Sequence, residues 1–399
     1  LLISLRRCIL NIAFIGQKGI PAHSGGVEKH VERLAVSMAK MGHEVTVYAR
    51  PHYLKSRIKT FQGVTLVCLP SIRTKHLDAL SHTFVATLHA LFQSYDVVHF
   101  HSIGPSIFSV FIRIFRPDIR VVATFHSRDY FHQKWNWFAR ACLHGAEWIT
   151  CTLPEKTIVI SKTLAEYAEA TYHKAFVMIP NGADVHVSEK TDYLKELGLK
   201  EGRYILSVSR LVRHKGIHYL IKAFQALKET SELPGNGWKL VIVGTHAETK
   251  EYAEYLKFLS TDDTDILLVG EQSGEPLAQL YTHAGIFVQP SEDEGLSLAL
   301  LEALGYGLPC VVSDIPANLE AIQQCGVSFA SKNILDLKQK LSSLINRPDI
   351  MQLLSRLARE RAQAEYDWQA IAQRTVNVYE ELLTQKSDFS KAHLGWREK

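Results

Sequence analysis

The chain has 399 residues, 46% of them hydrophobic and 22% charged, a globular balance that excludes a large disordered region and a length that exceeds what one core usually organises. Its net charge of +4 is mild and comes without the basic blocks that displace counterions from nucleic acid, which is an unexpected partner here. The six cysteines (Cys8, Cys68, Cys142, Cys151, Cys310 and Cys325) form no CxxC pair, which argues against a disulfide framework or zinc knuckle and favours a reducing cytoplasm.

The opening ten residues are apolar, but Arg6 and Arg7 interrupt them and no small-residue cleavage site follows. They read as the approach to a first strand and not as a signal peptide. The longest apolar run, residues 103–115, contains Arg113 and falls short of the roughly 18 residues a membrane-spanning helix needs.

From Asn11 onward, short runs rich in Val, Ile and Phe alternate with segments of helical period, the pattern of a parallel sheet covered by helices. A first cycle predicts strands at residues 11–16, 44–49, 64–69, 96–100, 120–125, 157–160 and 175–179. Between the first two, Val27, Val31, Leu34, Ala35 and Met38 recur on one helical face while Glu28, Lys29, Glu32 and Arg33 take the other. A polar stretch, residues 181–200, then reads as a linker, with the boundary near His186. The second cycle predicts strands at 204–208, 240–243, 265–269, 286–289, 310–313 and 327–330. The chain closes on an amphipathic helix whose stripe of Trp368, Ile371, Ala372, Thr375, Val378, Tyr379 and Leu382 needs a surface to bury against. The expected fold class is α/β, with two Rossmann-like domains at 1–185 and 186–366 and a final segment at 367–399.

In open α/β sheets ligands bind beyond the carboxyl ends of the strands, and the residues there are informative. The first strand is followed by Gly19, Gly25 and Gly26, the strand ending at Phe125 by His126, and the one ending at Ile179 by Asn181 and Gly182. In the second cycle Arg210 and Lys215 follow Val208, Gly244 follows Val243, Gly270 follows Val269, and Glu294 follows Gln289. Two such edges facing each other would form a cleft, the preferred place for a small molecule. Arg210 and Lys215 are suited to neutralising a diphosphate as it leaves, a surface ion pair being the plainer alternative. Gly295, Leu296 and Ser297 open a very apolar helix, a place where free N–H groups attract an anion. Glu294 and Glu302, taken as one helical stretch, would lie about 12 Å apart along its axis. Glu302 sits among Leu300, Leu301, Ala303 and Leu304, so its carboxylate needs a partner, either a ribose or another side chain. The first loop, Gly16-Gln17-Lys18-Gly19, lacks the GxGxxG of a dinucleotide dehydrogenase.

Taken together, Gly19-Ile20-Pro21-Ala22-His23-Ser24-Gly25-Gly26-Val27-Glu28, Ile179-Pro180-Asn181-Gly182, Ser209-Arg210-Leu211-Val212-Arg213-His214-Lys215-Gly216 and residues 290–302 resemble glycosyltransferase family 4, of GT-B architecture. The resemblance implies that the last helix crosses back onto the first domain. It implies that Arg210 and Lys215 hold a donor diphosphate, that Glu294 with the amides of Gly295, Leu296 and Ser297 holds sugar and phosphate, and that Glu302 holds ribose. Gly25, Gly26, Asn181 and Gly244 would line the donor, Gly270 and Glu271 would sit where the base is read, and His126 would lie beside the transferred sugar. It further implies transfer of a hexose-type sugar with retention of configuration to a glycan or lipid-linked acceptor, without metal or other cofactor. Ser209 stands where the family carries Gly, and Leu296-Ser297 where it carries Phe-Gly.

Other signals carry lesser expectations. His99 and His101 share one strand face and could meet His126 in a metal site, but buried core or acceptor-pocket histidines are commoner. Asp262-Asp263-Thr264-Asp265 imitates a metal-binding DxD yet precedes its strand. The segment from Ile107 to Phe115, with Arg113, Arg116 and Arg120, suggests peripheral contact with an anionic membrane face, against the simpler reading of a buried helix. His132, Lys134, Trp135 and Arg140 are expected on the acceptor side. Two rival functions remain open at this point: a nucleotide-sugar epimerase on the same scaffold, and a non-catalytic nucleotide-sugar binding module.

Overall fold

A computed structural model describes residues 9–394, apart from 24, 55–57, 75–76, 129–136, 234–236 and 246–249. These divide into two compact units, one drawn from Leu1–Asn181 with Trp368–Lys399 and the other from Gly182–Asp367. The division falls at Gly182, four residues before His186. The reason is local: Ala183 N–H donates to the Tyr366 carbonyl at 2.7 Å, and His186 N–H donates to the Tyr306 hydroxyl at 3.1 Å, so the intended linker already belongs to the second unit.

The first unit is built on eight strands: β1 (Asn11–Ile15), β2 (Glu44–Ala49), β3 (Thr60–Phe61), β4 (Val64–Cys68), β5 (Val97–His101), β6 (Arg120–Phe125), β7 (Lys156–Val159) and β8 (Val177–Met178). They lie in the order β3-β4-β2-β1-β5-β6-β7-β8. Every ladder is parallel except β3 with β4. β1 is covered on both faces, so Ile12, Ala13, Phe14 and Ile15 are all fully buried, which is why it reads as an unbroken apolar run. The two-residue hairpin arm β3 was not expected, because two residues carry no periodicity to detect.

The second unit contains β9 (Tyr204–Val208), β10 (Lys239–Val243), β11 (Ile266–Gly270), β12 (Ile286–Gln289), β13 (Cys310–Ser313) and β14 (Gly326–Phe329), all parallel and ordered β11-β10-β9-β12-β13-β14. Its core includes Ile205, Leu220, Ile221, Phe224, Leu240, Ile242 and Val288. In both units the chain runs outward from a central strand and then restarts on that strand's other side. The reversal falls between β1 and β5 in one sheet and between β9 and β12 in the other, and crevices at such points take ligands.

The final helix, Trp368–Leu394, belongs to the first unit. Its predicted stripe is buried, together with Val376. The Tyr379 hydroxyl meets His99 Nδ1 at 2.6 Å, and Arg374 donates to the Met178 carbonyl at 2.7 Å. Among the described residues no helix is long and apolar enough to cross a membrane.

Candidate active site

In the second unit the loops after β9 and β12 are drawn together by backbone. Gly216 has φ +67 and its Cα faces the Pro290 carbonyl so closely that any Cβ would collide with it; only glycine tolerates both the angle and the approach. Glu292 N–H donates to the His214 carbonyl at 2.7 Å, and Tyr219 donates to Glu292 at 2.8 Å. These contacts set Lys215 against Glu294, with Nζ and Oε1 2.5 Å apart and both side chains largely buried. The same Oε1 accepts from the Ser291 hydroxyl at 2.7 Å. The helix Ile217–Glu229 seats this loop through Ile217, Leu220, Ile221 and Phe224, all fully buried.

Arg210, one turn of loop away, is exposed and forms no ion pair with any described residue. Gly244 has φ +145 and abuts the Ser209 carbonyl so closely that a Cβ would overlap it, which keeps the ends of β9 and β10 flush. Gly270 and Glu271 are exposed at the end of β11, and the Gly270 carbonyl accepts from Gly244 N–H at 2.8 Å. The ends of four neighbouring strands therefore present the cations Arg210 and Lys215, the glycine-bearing turns at Gly216, Gly244 and Gly270, and the carboxylates Glu271, Glu292 and Glu294.

The helix expected to open at Gly295 begins at Leu298 and ends at Tyr306, with Ser297 as an extended N-cap residue. The Ser297 hydroxyl does not cap it; it donates to Gln289 Oε1 at 2.7 Å. That leaves the first-turn amides without a side-chain cap, which keeps the anion-attracting end open. It also corrects the expected spacing: Glu294 stands on the preceding loop, so the 12 Å helical separation from Glu302 does not apply. Glu302 is on the helix and buried at 5% exposure. Its partner is the Tyr281 hydroxyl, whose pKa is driven well up by burial first and then by this neighbouring carboxylate and its hydrogen bond.

In the first unit Gly25 precedes the helix Gly26–Lys40 with φ 99. The Glu28 carboxylate folds back against it and accepts from Lys18 N–H at 3.2 Å, so this helix start is already compensated by an acid. Beyond β6, His126 is buried and packed in a histidine cluster. His126 Nε2 and His101 Nδ1 lie 3.1 Å apart, and the His30 ring meets His126 edge-on at 4.8 Å. His30 Nδ1 pairs with the Asn181 side-chain oxygen at 2.8 Å. Burial is the main cause that holds these imidazoles neutral, lowering His30 to about 4 and driving His101 and His126 well below the usual histidine range.

Several expectations resolve here. His99 stacks on His101 at 4.3 Å but spends both nitrogens, on Tyr379 and on Thr124 Oγ1 at 2.7 Å. It is therefore not a companion of His126 in a ligand set; His30, which was not anticipated, takes that place. The signal was present, since His30 falls three residues after Val27 and four before Leu34 on the buried face. The DxD imitation is held by Lys228, 2.6 Å from both Asp263 and Asp265. His132, Lys134 and Trp135, with the side chain of Arg140, lie outside the described residues.

Two sheets of this topology, one gathering cations, glycines and an acid at its switch point, define a GT-B protein. The family model described as Glycosyltransferase Family 4 matches residues 24–187, and the one described as Glycosyl transferases group 1 matches residues 189–362. The chain belongs to the group 1, family 4 glycosyltransferases. An uncharacterised glycosyltransferase of Methanocaldococcus jannaschii is 25% identical over 402 residues, spanning 93% of this chain and 98% of that one. Among solved structures, sucrose-phosphate synthase of Thermosynechococcus elongatus superposes with a TM-score of 0.79 at 21% identity, covering 94% of this chain and all of that one. HepE of Anabaena in complex with UDP-glucose does so with a TM-score of 0.76 at 17% identity, over 93% and 100%.

Proposed function

We propose that this glycosyltransferase moves a hexose-type sugar from a nucleotide diphosphate donor to a hydroxyl of a glycan or lipid-linked acceptor, with retention of configuration and without a metal ion. The observation that carries the reading is the Lys215–Glu294 pair at 2.5 Å, with Arg210 exposed on the same loop after β9 and in no ion pair with a described residue. A lysine restrained by a carboxylate, an exposed arginine and an uncapped helix start suit a diphosphate without needing a divalent cation. Lys215 and Arg210 would stabilise the charge that builds on the leaving phosphate, and Glu294, anchored through Ser291, would accept sugar hydroxyls. The departing phosphate oxygen takes the acceptor's proton on the same face, so no protein base is assigned. A neighbour of the same fold solved with UDP-glucose supports a uridine nucleotide as the first donor to try. Gly270 and Glu271 are the residues assigned to the base, and His126 is assigned to the sugar.

Electrostatic docking on a membrane has less support. Arg113 and Arg120 share Glu155 and Arg116 holds Asp118 at 2.7 Å, so these cations are already paired with acids of the chain, while Ile114 and Phe115 stand exposed.

The test is kinetic. Arg210→Ala and Lys215→Ala are each expected to lose about 2 to 4 kcal/mol of transition-state stabilisation, on the order of 10² to 10³ in kcat, as when a strong oxyanion donor is removed. Near-normal turnover in both variants defeats the assignment. Product anomers read by NMR decide retention, and turnover that collapses in chelator would contradict metal independence.

A further inference from the structure

Among the described residues, one group of metal-ligating side chains is buried: His30, His101 and His126, whose ligand atoms all lie within 4.8 Å of one another. Their sources differ. His30 comes from the first turns of the Gly26–Lys40 helix, His101 ends β5, and His126 follows β6. The switch point between β1 and β5 brings the three together, where they also pack against Phe14 and Trp368.

Three features separate this trio from a satisfied core cluster. First, His30 Nε2 is buried with no hydrogen-bond partner, although buried polar nitrogens are normally paired. Second, His30 Nδ1 meets the Asn181 side-chain oxygen at 2.8 Å. An amide oxygen only accepts, so the proton is on Nδ1 and the lone pair is on the unpartnered Nε2. A ring whose far nitrogen is fixed by an oxygen acceptor is how proteins prepare a histidine to ligate. Third, the His101 Nδ1 to His126 Nε2 distance of 3.1 Å is close to the roughly 3.3 Å between two nitrogens bound at about 2.0 to 2.1 Å on one tetrahedral ion. His99 completes the surroundings without competing, since both its nitrogens are already bonded.

We propose that His30, His101 and His126 form a site for a divalent transition metal of the zinc class, with a fourth position left open. The ion takes the His30 Nε2 lone pair directly. His101 and His126 ligate through the Nδ1 and Nε2 that now face each other; the single proton between them passes to the far nitrogen of the ring that carries it, leaving His101 protonated on Nε2 and His126 on Nδ1, so all three imidazoles remain neutral and no net proton is released. Neutral imidazoles are what zinc, cobalt and nickel select. The ion is not part of sugar transfer. Resting on the assignment of His126 to the sugar, an occupied site withdraws that ring and inhibits the enzyme.

The chelator-stripped full chain is titrated with Zn²⁺ by calorimetry and with Co²⁺ by visible absorption. One equivalent bound, with the strong visible bands of tetrahedral cobalt, is expected. His30→Ala and His101→Ala should each weaken binding about tenfold or more, while His173→Asn, at an exposed left-handed position, leaves it unchanged. His30→Gln is run beside His30→Ala, with circular dichroism to confirm folding. Absence of stoichiometric binding to the wild type overturns the site, as does affinity kept by a folded His30 variant. Zinc that binds with one equivalent but leaves transfer untouched overturns the placement of His126 at the sugar and not the metal site, so the two readings fail separately.

Discussion

Gly216 shows how one residue carries a site it never touches a ligand from. Its φ of +67 and its approach to the Pro290 carbonyl let the loop after β9 lie on the loop after β12, and the Lys215–Glu294 contact depends on that approach. A β-carbon there forces the left-handed conformation on an L side chain, about 1 to 2 kcal/mol by itself, and drives the two loops apart as well. Gly216→Ala is therefore expected to destabilise the second unit by about 2 kcal/mol or more and to reduce kcat without touching a substrate atom. Denaturant titration with steady-state kinetics checks both, and a stable, fully active variant would refute the coupling. Glu302 gives the opposite lesson: a carboxylate in an apolar helix face looked ambiguous between ribose and a structural partner, and Tyr281 supplies a partner from within the fold.

At the scale of elements, the final helix follows the second unit in sequence but completes the first. Its buried residues include Ile371, Ala372, Thr375, Val376 and Tyr379, and each fully buried large apolar side chain stabilises by roughly 1.5 to 3 kcal/mol. Summed over the stripe, this rivals the whole stability of an ordinary domain, about 5 to 15 kcal/mol. A chain ending at Asp367 should then leave β5 and β6 open to hydrogen exchange while β9 and β12 stay protected. Equal protection in both units would show the helix to be dispensable. The helix's amphipathic stripe was legible from spacing alone, whereas its surface came only from the family resemblance, because periodicity says that a face is buried and never against what.

For the molecule as a whole, the buried histidines tie stability to pH. His82, clear of the His30 group, is wholly buried and lowered to about 4, by burial first and then by Arg50, with the backbone at Ala49 and Asp78 opposing and His52 adding a little. The unfolded chain protonates this residue near pH 6.5 and the folded chain only near 4, so between these values the unfolded state binds more protons. Stability is therefore full above about pH 6.5, falls as the pH drops through that window, and levels off below 4. Between pH 7 and 5 the wild type should lose about 2 kcal/mol more than His82→Asn in urea titrations; equal losses would contradict the shift.

Strand positions, the alternation with helices, and the glycines and cations after β9, β10 and β12 were written in local pattern, since a buried parallel strand must be apolar and a strand end must turn. That is how the family resemblance and the amphipathic last helix could be read from residues alone, and how the second unit's candidate site residues were picked out. Pairings between distant positions were not: His30 with His126, Lys215 with Glu294, Glu302 with Tyr281, and Ala183 with Tyr366. Each joins side chains or backbone from separate strands and helices, and one-dimensional spacing holds no record of which elements become neighbours once the sheets have ordered themselves.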